Sequence, residues 1–218
     1  MSRENDRIDA RLGCVRTDLI PATLISTTGY HCEVWRAVGS VYRNRARNPL
    51  DLVIKVPTAP YTLREVGILN REYRMLRRAL GTIVPRSLYI ATTVNDAPGV
   101  VVLAETVNRW FDVANPVNES EAVPLFRRLR RARGQLARFI EAARAWDRDG
   151  ERVIDLYGLE NLVLDANQRL RYIDSFRVFF HADLLYALET PDEDLRERIE
   201  LSRRRLDYVE HLLNASKP

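Results

Sequence analysis

Lysine is almost missing from this chain. Of 34 basic residues only Lys55 and Lys217 are lysine, so nearly all the positive charge is carried by guanidinium groups. Cysteine is scarce as well. Cys14 and Cys32 cannot make a disulfide framework, and free thiols in a cytoplasmic protein are the simpler expectation. Three histidines, His31, His181 and His211, lie apart without ligand spacing, which argues against a structural zinc site. No run of about 18 apolar residues occurs, so no membrane-spanning helix is expected. The opening MSRENDRIDARLG lacks the apolar core of a secretory signal. There is no Gly-x-Ser-x-Gly elbow, no internal repeat and no low-complexity segment, so an α/β-hydrolase is unsupported. A net charge of +4 permits anionic ligands but is too modest to imply nucleic acid. What remains is a 218-residue chain, 46% apolar and 29% charged, long enough for one large domain or two small lobes.

Against the arginine bias, the position of Lys55 is informative. It lies in Asp51-Leu-Val-Ile-Lys-Val-Pro57, which reads as a buried strand. Arginine offers a planar fork and lysine a compact charge on a flexible stem, so the two differ as phosphate ligands. Lys55 is therefore a candidate to hold a phosphate; the plainer alternative is an edge lysine that snorkels to water. A helix is predicted over residues 61–80, with Val66, Leu69, Tyr73, Leu76 and Leu80 forming one apolar stripe. Glu72 borders that stripe, and a carboxylate there is costly unless paired. Its partner is either Lys55 on the neighbouring strand or Arg71 and Arg78 on the helix surface.

Along the chain, residues 1–20 read as a polar, partly mobile lead-in. Strands are predicted at 22–25 and 33–38 around a turn containing Gly29. That glycine either supplies a positive φ or lets backbone N–H groups approach a phosphate. Residues 40–48 read as a connector, 50–56 as a third strand, and 86–92 and 99–107 as two more. Residues 108–124 are the best linker. A single long helix is predicted over 125–146, with Leu129, Ala132, Leu136, Phe139, Ala143 and Trp146 on one side. Its other side carries Arg127, Arg128, Arg130, Arg131 and Arg133, either a solvated face or a surface for an acidic partner. After an irregular or short-helical 177–188, a last helix begins at Pro191, with Asp192, Glu193 and Asp194 in its first turn.

The most telling stretch is Val153 to Phe176, VIDLYGLENLVLDANQRLRYIDSF. Leu162 and Leu164 alternate against Leu170 and Tyr172, and Asp165 to Gln168 supplies turn chemistry between them. Asn161 and Asp174 then fall at the mouths of two paired strands. A side-chain carbonyl with a carboxylate is a hard-oxygen set suited to Mg²⁺ rather than zinc. A plain hairpin with solvated polar ends is the competing reading.

Glycine turn, strand lysine, helix glutamate, apolar strand, long helix, Asp/Asn loop, hairpin and final aspartate come in an order that resembles the protein-kinase-like fold, including the bacterial small-molecule and lipopolysaccharide kinases. The similarity spans roughly residues 22 to 180. Gly29 and Val34 match the family's glycine loop, Val53-Ile-Lys55 its strand lysine, and Arg71-Glu-Tyr-Arg-Met-Leu76 the helix bearing the glutamate. Leu103-Ala-Glu-Thr-Val107 fits the hinge whose backbone holds adenine, placing Glu105 and Val107 there. Glu160-Asn-Leu-Val-Leu164 is similar to the end of the catalytic loop, and Ile173-Asp-Ser-Phe176 to the D-F-G segment. The spacing from Asn161 to Asp174 is that of typical members.

The resemblance implies an α+β, two-lobed fold. An N-terminal lobe over 1–107 would have an antiparallel sheet plus one helix, and a reduced, mostly helical C-terminal lobe would cover 108–218. It implies ATP and Mg²⁺ as cofactors, with Lys55, Glu72, Gly29, Val34, Glu105 and Val107 at the nucleotide and Asn161 and Asp174 at the metal. Asp155 would accept the proton of an unidentified acceptor hydroxyl. Three departures stand out. The family places its catalytic aspartate five residues before the asparagine, where this chain has Leu156, so Asp155 serves only if 156–160 hold a one-residue bulge. Phe176 replaces the D-F-G glycine. No A-P-E segment follows. An active kinase for a small molecule, lipid-linked sugar or protein, a catalytically silent binding or regulatory protein, and an unrelated module that binds polyanions are the readings carried forward.

Overall fold

In the computed structural model, residues 8–17, 20–26, 32–43, 46–150, 152–183, 185 and 192–217 are described. The chain is α+β. It divides into two compact units, residues 1–74 with 85–106 and residues 75–84 with 107–218.

The first unit is built on a five-stranded antiparallel sheet in the order β1-β2-β3-β5-β4. Its strands are β1 (Ala22–Ser26), β2 (Cys32–Arg43), β3 (Ala46–Pro57), β4 (Ser87–Val94) and β5 (Ala97–Glu105), with helix α1 (Leu63–Leu80) between β3 and β4. Residues 40–48, read from sequence as a connector, instead carry the β2–β3 ladder out to the Arg43–Ala46 pair. Strands β4 and β5 join through Asn95 and Asp96, with φ of 49° and 67°, the two-residue turn that matches the twist of paired strands.

Helix α1 starts with a reciprocal cap. The Thr62 amide donates to Glu65 Oε2 at 2.7 Å and the Glu65 amide to Thr62 Oγ1 at 3.3 Å. It ends at Gly81, whose φ of 60° is the left-handed stop that glycine adopts at least cost. Val66, Leu69, Leu76 and Leu80 are buried, as the stripe predicted. Tyr73 stacks on Tyr89 at 5.5 Å and its hydroxyl accepts from the Ser87 amide, which sets α1 over one face of the sheet.

The opposite face buries Trp35, Ala37, Ile54, Val56 and Val101 together with Ile8 and Leu12. The lead-in is therefore docked over residues 8–17. Gly13 N–H donates to the Thr93 carbonyl, and Arg11 exchanges hydrogen bonds with Asn95. Ile8 and Leu12 supply apolar anchors, with Ala10 and Cys14 packed beside them, and their burial explains the difference from the expected mobility.

In the second unit, β6 (Arg109–Asp112) pairs with β8 (Leu162–Asp165), which pairs with β9 (Leu170–Tyr172); β7 (Arg152–Ile154) pairs with β10 (Phe179–His181). The helices are α2 (Glu119–Arg128), α3 (Arg130–Gly150) and α4 (Glu193–Ala215). Three expectations are corrected. Residues 108–124 are no linker: they hold β6 and most of α2, because Phe111 pairs opposite Leu164 and Ala122 is fully buried. The predicted single helix is interrupted at Leu129 (ψ 71°), with Pro124 inside α2. Residues 179–181, read as irregular or helical, form β10, where Phe179 meets Trp146 edge-on at 5.1 Å.

Asp192 caps α4, its Oδ1 accepting from the Leu195 amide at 3.0 Å. Arg203 on α4 makes a forked contact with Asp147 on α3, and Arg144 reaches Asp207 and Glu210 in return. At the other end of α4, Arg127 donates to the Ala215 carbonyl and Arg133 to that of Ser216, so two arginines of the basic face satisfy a helix C-terminus.

Candidate functional site

The second unit gathers three polar side chains that the sequence separates. Strand β7 ends at Ile154, and its ladder with β10 continues one step further through Asp155 N–H to the Val178 carbonyl at 2.9 Å. Asp155 then leaves the strand, and its Oδ1 accepts from the Tyr157 amide at 2.7 Å, an Asx turn. A short 3-10 turn (Leu159–Asn161) follows and delivers Asn161 to the mouth of β8. Asn161 Nδ2 donates to the Asp155 carbonyl at 3.2 Å, which presents its Oδ1 on the other side of the amide. The hairpin pairs Leu162 with Tyr172, and Ile173 N–H donates to the Asn161 carbonyl at 2.9 Å. One residue beyond lies Asp174, whose Oδ1 accepts from the Ser175 and Phe176 amides at 2.6 and 3.2 Å.

The electrostatics follow from this crowding. Asp155 is 8% exposed. Burial first, and then the charge of Asp174, push its carboxyl up from 3.8 to about 7, against hydrogen bonds from Tyr157 and Gly158 and the charge of Arg198. A carboxyl near 7 that borders a second carboxylate is equipped to take up a proton at physiological pH. Repulsion between two carboxylates with an amide oxygen alongside is also what a hard divalent cation relieves. Among the described residues no group of three or more His, Cys, Asp or Glu side chains is placed to hold a metal ion. Carboxylate and amide oxygens are the donor types that Mg²⁺ takes, usually one or two from protein with the rest from phosphate and water.

Leu156, five residues before Asn161, is fully buried and offers no chemistry. Between Asp155 and Asn161 the backbone makes the Asx turn closed by the Tyr157 amide. Gly158 permits it: a Cβ there would fall 2.8 Å from Asn161 Oδ1.

In the first unit, Lys55 sits half-buried on β3, paired across the ladder with Val34 on β2 and Val102 on β5. Alternation along the strands puts Val34, Val53, Lys55, Val102 and Ala104 on one face. That is the face α1 covers, since Tyr89 is paired with Val102 and stacks on Tyr73. Glu72, half-buried, precedes Tyr73 on α1. Glu105 ends β5 with its amide donating to the Arg86 carbonyl at 2.8 Å, and Val107 follows outside the sheet, half-buried. Gly29 lies outside the described residues.

Sequence reasoning missed the side chains that surround Asp155 from α4. Arg198, Ser202 and Arg205 recur at four and three along that helix, beside buried Ile199, Leu206 and Val209. Polar residues in register with an apolar stripe were the available signal. Tyr172, whose hydroxyl donates to the Asp155 carbonyl at 3.1 Å, was read only as a strand residue.

No helix among the described residues is long and apolar enough to cross a membrane. No protein-family model matches the chain, and no curated protein is significantly similar to it.

Proposed function

We propose that the two units are the nucleotide-binding and catalytic halves of a reduced protein-kinase-like phosphotransferase that moves the terminal phosphoryl of ATP to a hydroxyl of a small molecule, lipid-linked sugar or protein. The observation that carries this reading is the convergence of Asp155, Asn161 and Asp174, with the Asp155 carboxyl raised to about 7. Phosphoryl transfer asks a protein mainly for alignment and charge neutralisation. Asn161 and Asp174 would hold Mg²⁺, which would neutralise charge on the phosphates. Asp155 would accept the proton of the attacking hydroxyl. Lys55, braced by Glu72, would hold the nucleotide phosphates; Val34 and the Glu105–Val107 backbone would receive the base, and Gly29 would let the preceding turn close over the phosphates.

The second reading is a catalytically silent ATP-binding regulator. Buried Phe176 in place of the family's glycine favours it, because the segment after Asp174 loses that freedom of rearrangement. Thermal shift with ATP, with and without Mg²⁺, followed by phosphate release, separates the cases. Lys55→Ala is expected to abolish nucleotide stabilisation and leave the fold intact, while Asp174→Asn weakens the response to magnesium. Asp155→Asn stops turnover in an enzyme and leaves ATP binding unchanged in a regulator. No stabilisation by Mg·ATP at millimolar concentration sinks both.

A further inference from the structure

An irregular segment inside a protein must find partners for its backbone groups somewhere, because unpaired N–H and C=O groups are costly to bury. For Asp155 to Tyr157 every one of them is accounted for. Asp155 N–H reaches Val178, and the Asp155 carbonyl takes Asn161 Nδ2 and the Tyr172 hydroxyl. Tyr157 N–H reaches the Asp155 carboxylate itself. The remaining three go to one helix: Leu156 N–H donates to Ser202 Oγ at 3.2 Å, Arg205 Nη1 donates to the Leu156 carbonyl at 2.7 Å, and the same nitrogen donates to the Tyr157 carbonyl.

We propose that α4 is the positioning element of the Asp155 site, with Ser202 and Arg205 gripping the Leu156–Tyr157 backbone and Arg198 steadying the Tyr157 ring, so that the Asp155 carboxylate is aimed by side chains some fifty residues away. Arg198 and Ser202 are only 9% and 1% exposed, on a stripe where apolar residues would bury at less cost. Arg198 lies 5.2 Å from the Tyr157 ring centroid and pairs with Asp194 at 3.0 Å, which fixes its guanidinium over that ring. The fully buried Leu156 side chain anchors the segment from the other direction. The base is therefore held by a helix rather than by loop stiffness. This inference rests on the reading of Asp155 as the proton acceptor; the grip itself does not.

The test uses the full chain with Arg205→Met, Arg205→Lys and Ser202→Ala. The Tyr157 amide, which donates to Asp155 Oδ1, is followed by ¹H–¹⁵N NMR, and Mg·ATP hydrolysis by release of inorganic phosphate. Arg205→Met is expected to shift the Tyr157 amide upfield and to lower kcat about 100-fold with KM for ATP within about twofold, the size of loss that a misplaced reacting group brings. Arg205→Lys recovers part of both. If Arg205→Met fails to fold, Ser202→Ala, which removes a single acceptor, is expected to move the same amide and lower kcat by a smaller factor. An unmoved Tyr157 amide in the folded variants, or kcat unchanged while the amide moves, overturns the proposal. A wild-type chain without turnover instead overturns the phosphotransferase reading, and the amide shift then decides the grip alone.

Discussion

Asp155→Asn is expected to stabilise this protein, and to do so in proportion to pH. The folded chain raises the Asp155 carboxyl from 3.8 to about 7, chiefly by burial and next by the charge of Asp174. A folded-state value above the unfolded one means that the native state keeps the proton over a window where the unfolded state has released it. Native stability then falls as pH rises from about 4 through 7 and levels off above. At about 1.4 kcal/mol per pH unit, the full displacement is worth about 4 kcal/mol at pH 8 and less than about 1 kcal/mol at pH 4. Asparagine keeps the shape and retains an acceptor oxygen for the Tyr157 amide, so it removes the charge without opening a cavity. Urea unfolding of both proteins from pH 4 to pH 8 reads the Asp155–Asp174 pair, since the titrating groups away from it are common to both. The variant's advantage should grow between about pH 4 and pH 7 and reach about 4 kcal/mol at the alkaline end. A pH-independent difference, or a variant less stable at pH 8, would refute the placement of a buried, ionisable carboxyl beside Asp174.

Gly158→Ala is expected to push the Asn161 amide out of place, because the new methyl would meet Oδ1 at 2.8 Å; weakened magnesium dependence of nucleotide stabilisation, with secondary structure intact by circular dichroism, is the readout. Asp165→Ala leaves the buried Arg171 without its carboxylate partner at 3.0 Å and should cost about 3–5 kcal/mol in urea unfolding; Asp165→Ala with Arg171→Leu should recover most of it. Leu12→Ala tests the docked lead-in: loss of a side chain 7% exposed should cost about 2–3 kcal/mol, whereas a mobile segment would cost nothing.

How much of this was legible in the sequence depends on what each residue type can signal here. The 162–172 hairpin was readable because its alternation and its Asp165 turn agree, and Asp165 Oδ1 does accept from the Asn167 and Arg169 amides. Helix α1 was readable for the same reason, its apolar stripe starting after Thr62 and Glu65. The docking of Ile8 and Leu12 was missed, because the alternation Ile8, Ala10, Leu12, Cys14 is short and half of it is small residues. Arginine was the least informative residue of all. The same side chain lies exposed in Arg128, Arg130 and Arg131, caps carbonyls in Arg127 and Arg133, and is buried in Arg171 and Arg198. When one residue supplies nearly all the positive charge, its presence no longer separates surface from core.

The interval between Asp155 and Asn161 shows why spacing is only a proxy for geometry. On the proposed kinase-like reading, counting back from Asn161 lands on Leu156, and an argument confined to counting would leave no candidate base. Yet a buried leucine is what a positioned segment needs at that place, because the apolar anchor and the Ser202 and Arg205 bonds then hold the residue before it. On that reading the extra residue would be taken up between the Asp155 carboxylate and Gly158, where an Asx turn and the absence of a Cβ cost little. The link that matters survives the offset: the Asp155 carbonyl still receives the Asn161 amide, and its carboxylate still feels the charge of Asp174. A one-residue change in register can therefore leave the electrostatics of a site in place, provided the backbone has a turn in which to absorb it.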